Sequence, residues 1–226
     1  WVTGSFDNPA GFAACLCAGF PFVGFLLSDS NKYIRYVGGL IGFVIVIAVI
    51  LSQSRAGIMS IAFICFILLN MKFFHKRWVK YLSLLCFALL LSGCYWMKKD
   101  SADGRLLIWR CSVSMVKDAP WLGHGIGSFE ARYMDYQADY FRQYGLNRYS
   151  MLADNVKHPF NEYLGVLLNF GFVGLLMILA LITLLIYCYK KHPCAEKRIA
   201  FYSLISIGVF SFFSYTFTYP FTWIVT

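Results

Sequence analysis

An ionisable cluster stands directly before a long apolar run. The stretch VKHPFNEY (156–163) is followed by LGVLLNFGFVGLL. Because proline suits the first position of a helix, the pattern predicts that a helix begins at Pro159 and that His158 lies at or near its N-cap. Asn161 and Glu162 would then be within reach of the imidazole. The positive end of the helix dipole disfavours imidazolium, so we predict a neutral histidine that acts as a base or binds phosphate, although a lone histidine is more often structural.

Two arginines are candidates for binding an anion. Arg55, in SQSRAG, lies between two apolar blocks, where an arginine is costly unless it has a role; the alternative is a simple turn residue. Asp103 is predicted to cap a helix that begins near Arg105. An arginine in the first turn opposes the helix dipole unless it holds an anion together with the free N–H groups, and the alternative is a solvated arginine. Two arginines and a histidine without an acidic cluster suit a diphosphate held without Mg²⁺, so no metal or cofactor is predicted.

The segment between these candidates predicts two further helices. The first is amphipathic and is expected to lie on the membrane, with an apolar stripe of Leu106, Trp109, Val113 and Val116. GHGIG (123–127) follows no predicted strand and is expected to be a flexible turn. The second helix is predicted to begin at Ser128. Its aromatic stripe either anchors it at the lipid headgroups or stacks on sugars, and consists of Phe129, Tyr133, Tyr136 and Tyr140.

Composition indicates that a membrane protein carries these motifs. Of 226 residues, 59% are hydrophobic and 14% are charged, which is more apolar than a soluble domain. The apolar residues form six blocks, at about 9–27, 33–51, 56–74, 79–95, 169–189 and 199–218. We therefore predict an all-α, polytopic integral membrane helical bundle with a long, partly helical periplasmic loop. The net charge of +9 lies mostly between the blocks, which indicates topology signals and lipid contacts rather than nucleic-acid binding.

Basic connectors set the predicted orientation. The segments 71–80 and 190–198 are rich in lysine and arginine, so both are expected in the cytoplasm. Residues 1–97 would then supply about four spans, and 98–161 would form a periplasmic loop with amphipathic helices. Residues 162–226 would supply a return helix and two spans. The chain opens on WVTGSFDNPAG, neither a signal peptide nor a charged leader, so we expect a fragment of a longer chain that lacks N-terminal spans.

Four segments, in this order, resemble a known family. They are GSFDNPAGFAACLCAGFP, SRAG, DGRLLIWRCSVSMVKDAPWLGHGIGSF and HPFNEYLGVLLNFGFVGLL. Together they are similar to the O-antigen ligase and O-antigen polymerase superfamily, and the resemblance covers nearly the whole chain. It implies a metal-independent glycosyltransferase that moves a glycan from undecaprenyl diphosphate to an acceptor hydroxyl. The acceptor would be a glycan or lipid A-core, and the reaction would take place at the periplasmic face of the bacterial inner membrane.

The resemblance also implies roles for individual residues. By motif position, Arg55 and Arg105 would bind the donor diphosphate, and His158 would be catalytic. Asn161 and Glu162 are expected to contact the substrate or hold the imidazole in place. His124 stands where the family loop usually has a small apolar residue, which leaves open a second histidine near the site. Direct displacement at the anomeric carbon would invert its configuration.

Other classes of function stay open. A transporter or lipid-linked glycan flippase with an outward-facing anion site should place ionisable groups near the bilayer midplane and show broken helices there. The apolar blocks are nearly free of charge, which favours transfer chemistry at one face. A structural subunit of a polysaccharide assembly is a third possibility without positive support. Ligation, polymerisation and attachment to protein share the donor, and the sequence does not separate them.

Overall fold

The fold is helical throughout the part of the chain that the computed structural model describes, which is residues 3–4, 6, 8–72, 77–97, 99–191 and 194–218. The α-helices in these ranges are α1 (Pro9–Leu26), α2 (Lys32–Leu51), α3 (Arg55–Lys72), α4 (Arg77–Met97), α5 (Lys99–Asp118), α6 (Ser128–Tyr144), α7 (Glu162–Lys191) and α8 (Ala195–Phe213). Short 3₁₀ helices occur at Ser150–Leu152 and Thr216–Thr218. No strand occurs in these ranges, and the all-α prediction is confirmed.

A helix overlies each of the six predicted apolar blocks. Within the described ranges, α1, α2 and α7 are long and apolar enough to cross a membrane, as judged by length and composition. α3 and α4 contain shorter apolar stretches, Arg55–Leu68 and Trp78–Gly93. Parts of the predicted basic connectors (73–76 and 192–193) and the C-terminal segment from 219 onwards lie outside the described residues. The three candidate spans support a place in a membrane, whereas the full set of six spans stays a prediction.

The chain forms two compact units, and the first comprises residues 1–94 and 189–226. α1 contacts α2, α3 and α8, and these helices share an apolar core. Buried hydroxyls connect three of them. The Ser60 hydroxyl donates to the carbonyl of Ser206 at 2.8 Å, and the Ser206 hydroxyl donates to the carbonyl of Cys17 at 2.7 Å. These two hydroxyls are thus satisfied by carbonyls of neighbouring helices, a pairing that is common at membrane helix interfaces.

The second unit comprises residues 95–188. In it, α5 packs against α6, and the 3₁₀ helix and the start of α7 complete the core. The buried apolar residues are Leu107, Ile108, Cys111, Met115, Phe129, Tyr133, Tyr149 and Leu168. The long loop predicted from the sequence therefore contains a core of its own, which gives its side chains fixed positions.

The aromatic stripe of α6 faces that core. The predicted start at Ser128 is confirmed. Phe129 and Tyr133 are buried and stack with their ring centroids 4.9 Å apart, while Tyr136 and Tyr140 pack against the same cluster. Both expected roles, headgroup anchor and sugar platform, are therefore wrong for Phe129 and Tyr133. The spacing identified the buried face of a helix, which is the commoner meaning of such a stripe.

α5 begins earlier than predicted. Its first residue is Lys99, so Asp103 lies inside the helix, buried, where its carboxylate accepts a hydrogen bond from the Tyr95 hydroxyl at 3.2 Å. The prediction that Asp103 caps a helix near Arg105 is wrong. Arg105 therefore does not lie in the first turn beside free N–H groups, and that prediction is also wrong. Arg105 is about two turns into the helix, and its surroundings decide its role.

The predicted apolar stripe of α5 is divided between two environments. Leu106 and Val113 are exposed, whereas Trp109 and Val116 pack against the core of the second unit. A single stripe lying on the membrane is therefore wrong. The buried face of α5 instead contains Leu107, Cys111 and Met115, which is shifted by about one residue from the predicted stripe.

Candidate active site

The segment before α7 is held by an asparagine cap. α7 begins at Glu162, and the Asn161 side chain accepts a hydrogen bond from the backbone N–H of Leu164 at 3.0 Å. This is the N-cap geometry. The prediction that the helix begins at Pro159 with His158 as its N-cap is wrong, because Phe160 adopts a positive φ of 52° and turns the chain before the helix starts. His158 precedes the helix in an ordered turn.

α5 holds this turn through two side chains on successive turns of the helix. The Trp109 indole N–H donates to the carbonyl of Pro159 at 3.0 Å. The Arg105 guanidinium carbon lies 5.1 Å from the centroid of the Phe160 ring, at cation–π distance. The structure thus brings Arg105 beside the segment that carries His158. A guanidinium that is stacked on a ring loses less conformational freedom when it binds an anion, because its plane is already oriented.

His158 is half-buried, and its surroundings favour the neutral ring. Burial lowers the pKa of the imidazole below its usual 6.5. Glu130 acts against this shift and Lys157 adds to it. These two residues form an ion pair at 3.4 Å with both side chains largely exposed, so the pair contributes little to stability. The predicted neutral state of His158 therefore has a physical cause, which is loss of water rather than the helix dipole.

A break in α7 lies nine residues beyond its start. Gly171 has φ 63° and ψ −159°, a conformation that is essentially restricted to glycine. In a continuous helix the N–H groups of residues 172 and 173 would bond the carbonyls of residues 168 and 169. Here all four groups bond elsewhere, so the break leaves none of them unpaired.

The partners of these groups come from residues 119–127, which we call the 119–127 loop. The N–H groups of His124 and Gly125 donate to the carbonyls of Leu168 and Asn169 at 2.7 and 3.0 Å. In return, Phe172 and Val173 donate to the carbonyls of Pro120 and Trp121 at 2.8 and 3.2 Å. Glycine at position 123 permits this approach, because a Cβ there would lie 2.6 Å from the backbone of α7. GHGIG is therefore a fixed backbone pairing, and the expectation of a flexible turn is wrong.

His124 holds the loop from its other side. Its Nδ1 lies 3.0 Å from an Arg132 guanidinium nitrogen, and its Nε2 lies 2.8 Å from the Met115 carbonyl oxygen. Because an arginine can only donate, Nδ1 accepts and Nε2 carries the proton. Both ring nitrogens of His124 are engaged within the second unit.

Arg55 and Glu162 occupy the first positions of their helices. Arg55 begins α3 in the first unit, after a three-residue turn in which the Ser54 hydroxyl accepts a hydrogen bond from the N–H of Gly57 at 3.3 Å. The predicted short arginine turn is confirmed as a turn. Glu162 begins α7, where a carboxylate complements the helix dipole. Within the described ranges, no three His, Cys, Asp or Glu side chains are grouped so that they could hold a metal ion.

Comparison with known families decides the class of the protein. The family model described as O-Antigen ligase matches residues 40–179. The chain belongs to the O-antigen ligase family. The match includes α7 as far as residue 179, the 119–127 loop and every residue predicted for the site. No match was found among curated proteins or among solved structures.

Membership of the O-antigen ligase family gives the coarse function. It indicates glycosyl transfer of the O-antigen ligase or polymerase type, with a lipid-linked glycan donor and a glycan acceptor. Together with the candidate spans it supports a place in a membrane and in polysaccharide biosynthesis.

Sequence reasoning missed the residues that support His158. The sequence pattern predicts Trp109 in a membrane-facing stripe, yet its indole N–H donates to the Pro159 carbonyl. Glu130 lies 28 positions before His158, and nothing in the local sequence pairs the two. Only Lys157, as the chain neighbour of His158, could have been suspected. Contacts between α5, α6 and the turn before α7 depend on tertiary packing, which short-range spacing does not encode.

Proposed function

We propose that this O-antigen ligase family member transfers a glycan from an undecaprenyl-diphosphate-linked donor to an acceptor hydroxyl at the periplasmic face of the bacterial inner membrane. The observation that carries the proposal is the turn before α7: Trp109 and Arg105 of α5 contact Pro159 and Phe160 in this turn, which also carries the half-buried His158, whose pKa is lowered by burial. A positioned base next to a fixed cation suits attack by a hydroxyl on a carbon that bears a diphosphate.

In the proposed reaction His158 acts on the acceptor. The imidazole takes the proton of the acceptor hydroxyl as its oxygen bonds to the anomeric carbon of the donor sugar. The bond between that carbon and the diphosphate oxygen breaks, and undecaprenyl diphosphate leaves with the bonding electron pair. The configuration at the anomeric carbon is inverted. A lowered pKa keeps the imidazole neutral at pH 7, so it is ready to accept the proton.

Arg105 acts on the leaving group in this proposal. Its planar fork can contact two phosphate oxygens at once and offset the charge that develops as the diphosphate departs. Because arginine supplies this charge, the reaction is proposed to need no metal ion. Arg55 is proposed as a second diphosphate-binding arginine, on the basis of its motif position and its place at the N-terminus of α3, where helix N–H groups favour anions.

The polar groups around His158 have supporting roles. Asn161 caps α7 with its side-chain oxygen, so we propose that it fixes the turn and contacts substrate only through its amide nitrogen. Glu162, the next residue, is proposed to orient the ring or the acceptor. His124 has both nitrogens engaged, so we propose that it positions the 119–127 loop and does not contact substrate directly.

The orientation rests on the basic connectors. Lys190 and Lys191 lie in the last turn of α7, so this end of the helix is proposed to face the cytoplasm. The turn that carries His158 lies at the opposite end and would face the periplasm. Lipid-linked glycan donors of this class, lipid A-core or glycan acceptors, and surrounding lipids would meet there.

The alternative is a transporter or flippase, and the break in α7 is the observation that favours it. Broken helices line substrate sites in many transporters because their free backbone groups bind the cargo. In this chain the four freed groups of α7 are bonded by the 119–127 loop. They are therefore not available to a cargo, and the break is better explained as a docking point for the loop.

The decisive experiment separates binding from chemistry in the full-length protein. His158→Ala should abolish turnover, with a rate loss of about 10²–10⁴ expected for a positioned base, while the lipid-linked donor still binds. Arg105→Lys keeps the charge but loses the fork, so it should weaken donor binding and lower the rate together. Arg142→Lys is the matched control, because Arg142 is exposed and pairs with Asp139 on α6. It should leave both quantities unchanged.

Two outcomes would contradict the proposal. Near wild-type single-turnover transfer by folded His158→Ala would make the histidine structural. Donor movement across a vesicle membrane without transfer to any acceptor would favour the flippase instead.

A further inference from the structure

The 119–127 loop presents an apolar surface that is not part of the core of the second unit. Its side chains Trp121, Leu122 and Ile126 are 69%, 75% and 83% exposed. The loop sequence, APWLGHGIG, has no acidic or basic side chain other than His124, whose ring nitrogens are both engaged. Three large apolar side chains on one short uncharged loop are unusual for a surface that faces only water.

Several backbone groups of the loop are bonded by protein. It bonds α7 through His124, Gly125, Pro120 and Trp121, and the N–H of Gly123 bonds the carbonyl of Ala119 at 3.1 Å. Irregular backbone is tolerated at membrane depth only where protein or water satisfies its polar groups. The pairing with α7 meets that requirement for the paired groups, while the apolar side chains of the loop stay exposed.

The apolar surface continues along α7. The Trp121 ring meets the Phe172 ring edge to face, with centroids 6.1 Å apart. Beyond Phe172 the apolar side chains of α7 are largely exposed, among them Leu176 and Met177. About 20 residues are needed to cross the hydrocarbon core, and residues 172–191 supply that length. The loop therefore lies at the level where the membrane-crossing part of α7 begins, the depth at which tryptophan is enriched.

We propose that the 119–127 loop is a membrane-interface anchor whose partner is the lipid bilayer. Trp121, Leu122 and Ile126 insert among the lipids beside the outer end of the α7 span. The backbone pairing with the break in α7 then fixes how far from the bilayer surface the second unit sits. The inference requires α7 to span the membrane, and it does not require the proposed glycosyl transfer.

The test measures the depth of the loop directly. The full-length protein, with its native cysteines replaced, is spin-labelled at position 122 or 126 and placed in vesicles of phosphatidylethanolamine and phosphatidylglycerol. Labels on the loop should be more accessible to oxygen than to a water-soluble nickel chelate. A label at Met177, exposed on α7, is the lipid-facing control, and one at Ala138, exposed on α6, is the aqueous control.

Each alternative result overturns the inference. If labels at 122 and 126 match Ala138, the loop lies in water. If they are inaccessible to both reagents, protein covers the loop, either another segment of the chain or a second copy. A measurement without labels guards against local misfolding: brominated lipids should quench Trp121 in the native protein, so Trp121→Phe should reduce the absolute fluorescence intensity that brominated lipids remove. An unchanged loss of intensity would place Trp121 away from lipid.

Discussion

Replacing Gly171 with alanine should straighten α7 and release the 119–127 loop. Gly171 has φ 63° and ψ −159°, and an alanine there would also place its Cβ against the Trp121 carbonyl. Alanine favours a continuous helix, in which the N–H groups of Phe172 and Val173 bond within α7. The loop would then lose its partners while α7 would keep its own hydrogen bonds.

The expected magnitude follows from the backbone. Holding a non-glycine residue in this conformation costs about 1–3 kcal/mol. Each hydrogen bond that the loop loses lowers the stability of the paired state by about 1 kcal/mol more. The conformational cost alone corresponds to a rise of about 5–150-fold in the opening constant of the loop. Gly165→Ala is the matched control in the same helix, because its Cβ would meet Pro159 Cγ at an ordinary 3.7 Å.

Amide hydrogen exchange distinguishes the two segments. In Gly171→Ala, His124 and Gly125 should lose protection, since they donate to α7 in the native protein. Phe172 and Val173 should stay protected, because helical bonds replace those to Pro120 and Trp121. Gly165→Ala should change neither segment.

The reasoning is refuted if Gly171→Ala keeps native protection at His124 and Gly125. It is also refuted if protection is lost equally at Phe172 and Val173, because the helix would then have frayed rather than straightened.

Three further predictions follow from the site and its orientation. The acid limb of the kcat/KM profile should lie below pH 6.5, because burial lowers the pKa of His158 and the base works only when it is neutral. Glu130→Gln should move this limb to lower pH and Lys157→Met should move it to higher pH, and a limb above pH 6.5 would exclude His158 as the base. Transfer by the full-length protein should persist in excess EDTA, and recovery only on adding Mg²⁺ or Mn²⁺ would disprove the arginine-based diphosphate site. In a cysteine-free background, Ala138→Cys should react with an impermeant thiol reagent in intact cells. Ser30→Cys should not, because alternation of the spans from the basic connector 71–80 puts the connector 28–35 in the cytoplasm as well; the reverse pattern would invert the orientation.

Hydropathy and local turn residues predicted the helices whose ends depend on neighbouring residues. The apolar blocks located α1 and α2 to within one residue of their ends, because a membrane span is defined by its length and composition. The start of α6 at Ser128 followed from the glycines before it. The spacing of the aromatic residues correctly predicted that they share one face of α6. That face packs against α5 in the core, which the sequence does not indicate because spacing does not identify the packing partner of a helix face.

The roles of the candidate site residues stay predictions, and their geometry was predicted only in part. His158 and Arg105 are candidates by residue type, and the structure places Arg105 against the Phe160 ring in the turn that carries His158. The predicted helix starts near them were wrong. Asp103 lies inside α5, where it accepts a hydrogen bond from Tyr95 instead of capping the helix, and the positive φ of Phe160 turns the chain so that Asn161 caps α7. The break at Gly171 has no local signature, since a single glycine in an apolar run is ordinary in membrane helices.

The pairing between the 119–127 loop and α7 also sets an order of assembly. The N–H groups of His124 and Gly125 bond carbonyls 44 residues further along the chain. A ribosome adds these residues in about 2–9 s at about 5–20 residues per second. Until α7 has been synthesised, the loop lacks the backbone partners that α7 supplies. Correct folding of the second unit is therefore coupled to the synthesis of a later helix, and a chain truncated before residue 168 should leave α5 and α6 more susceptible to proteolysis.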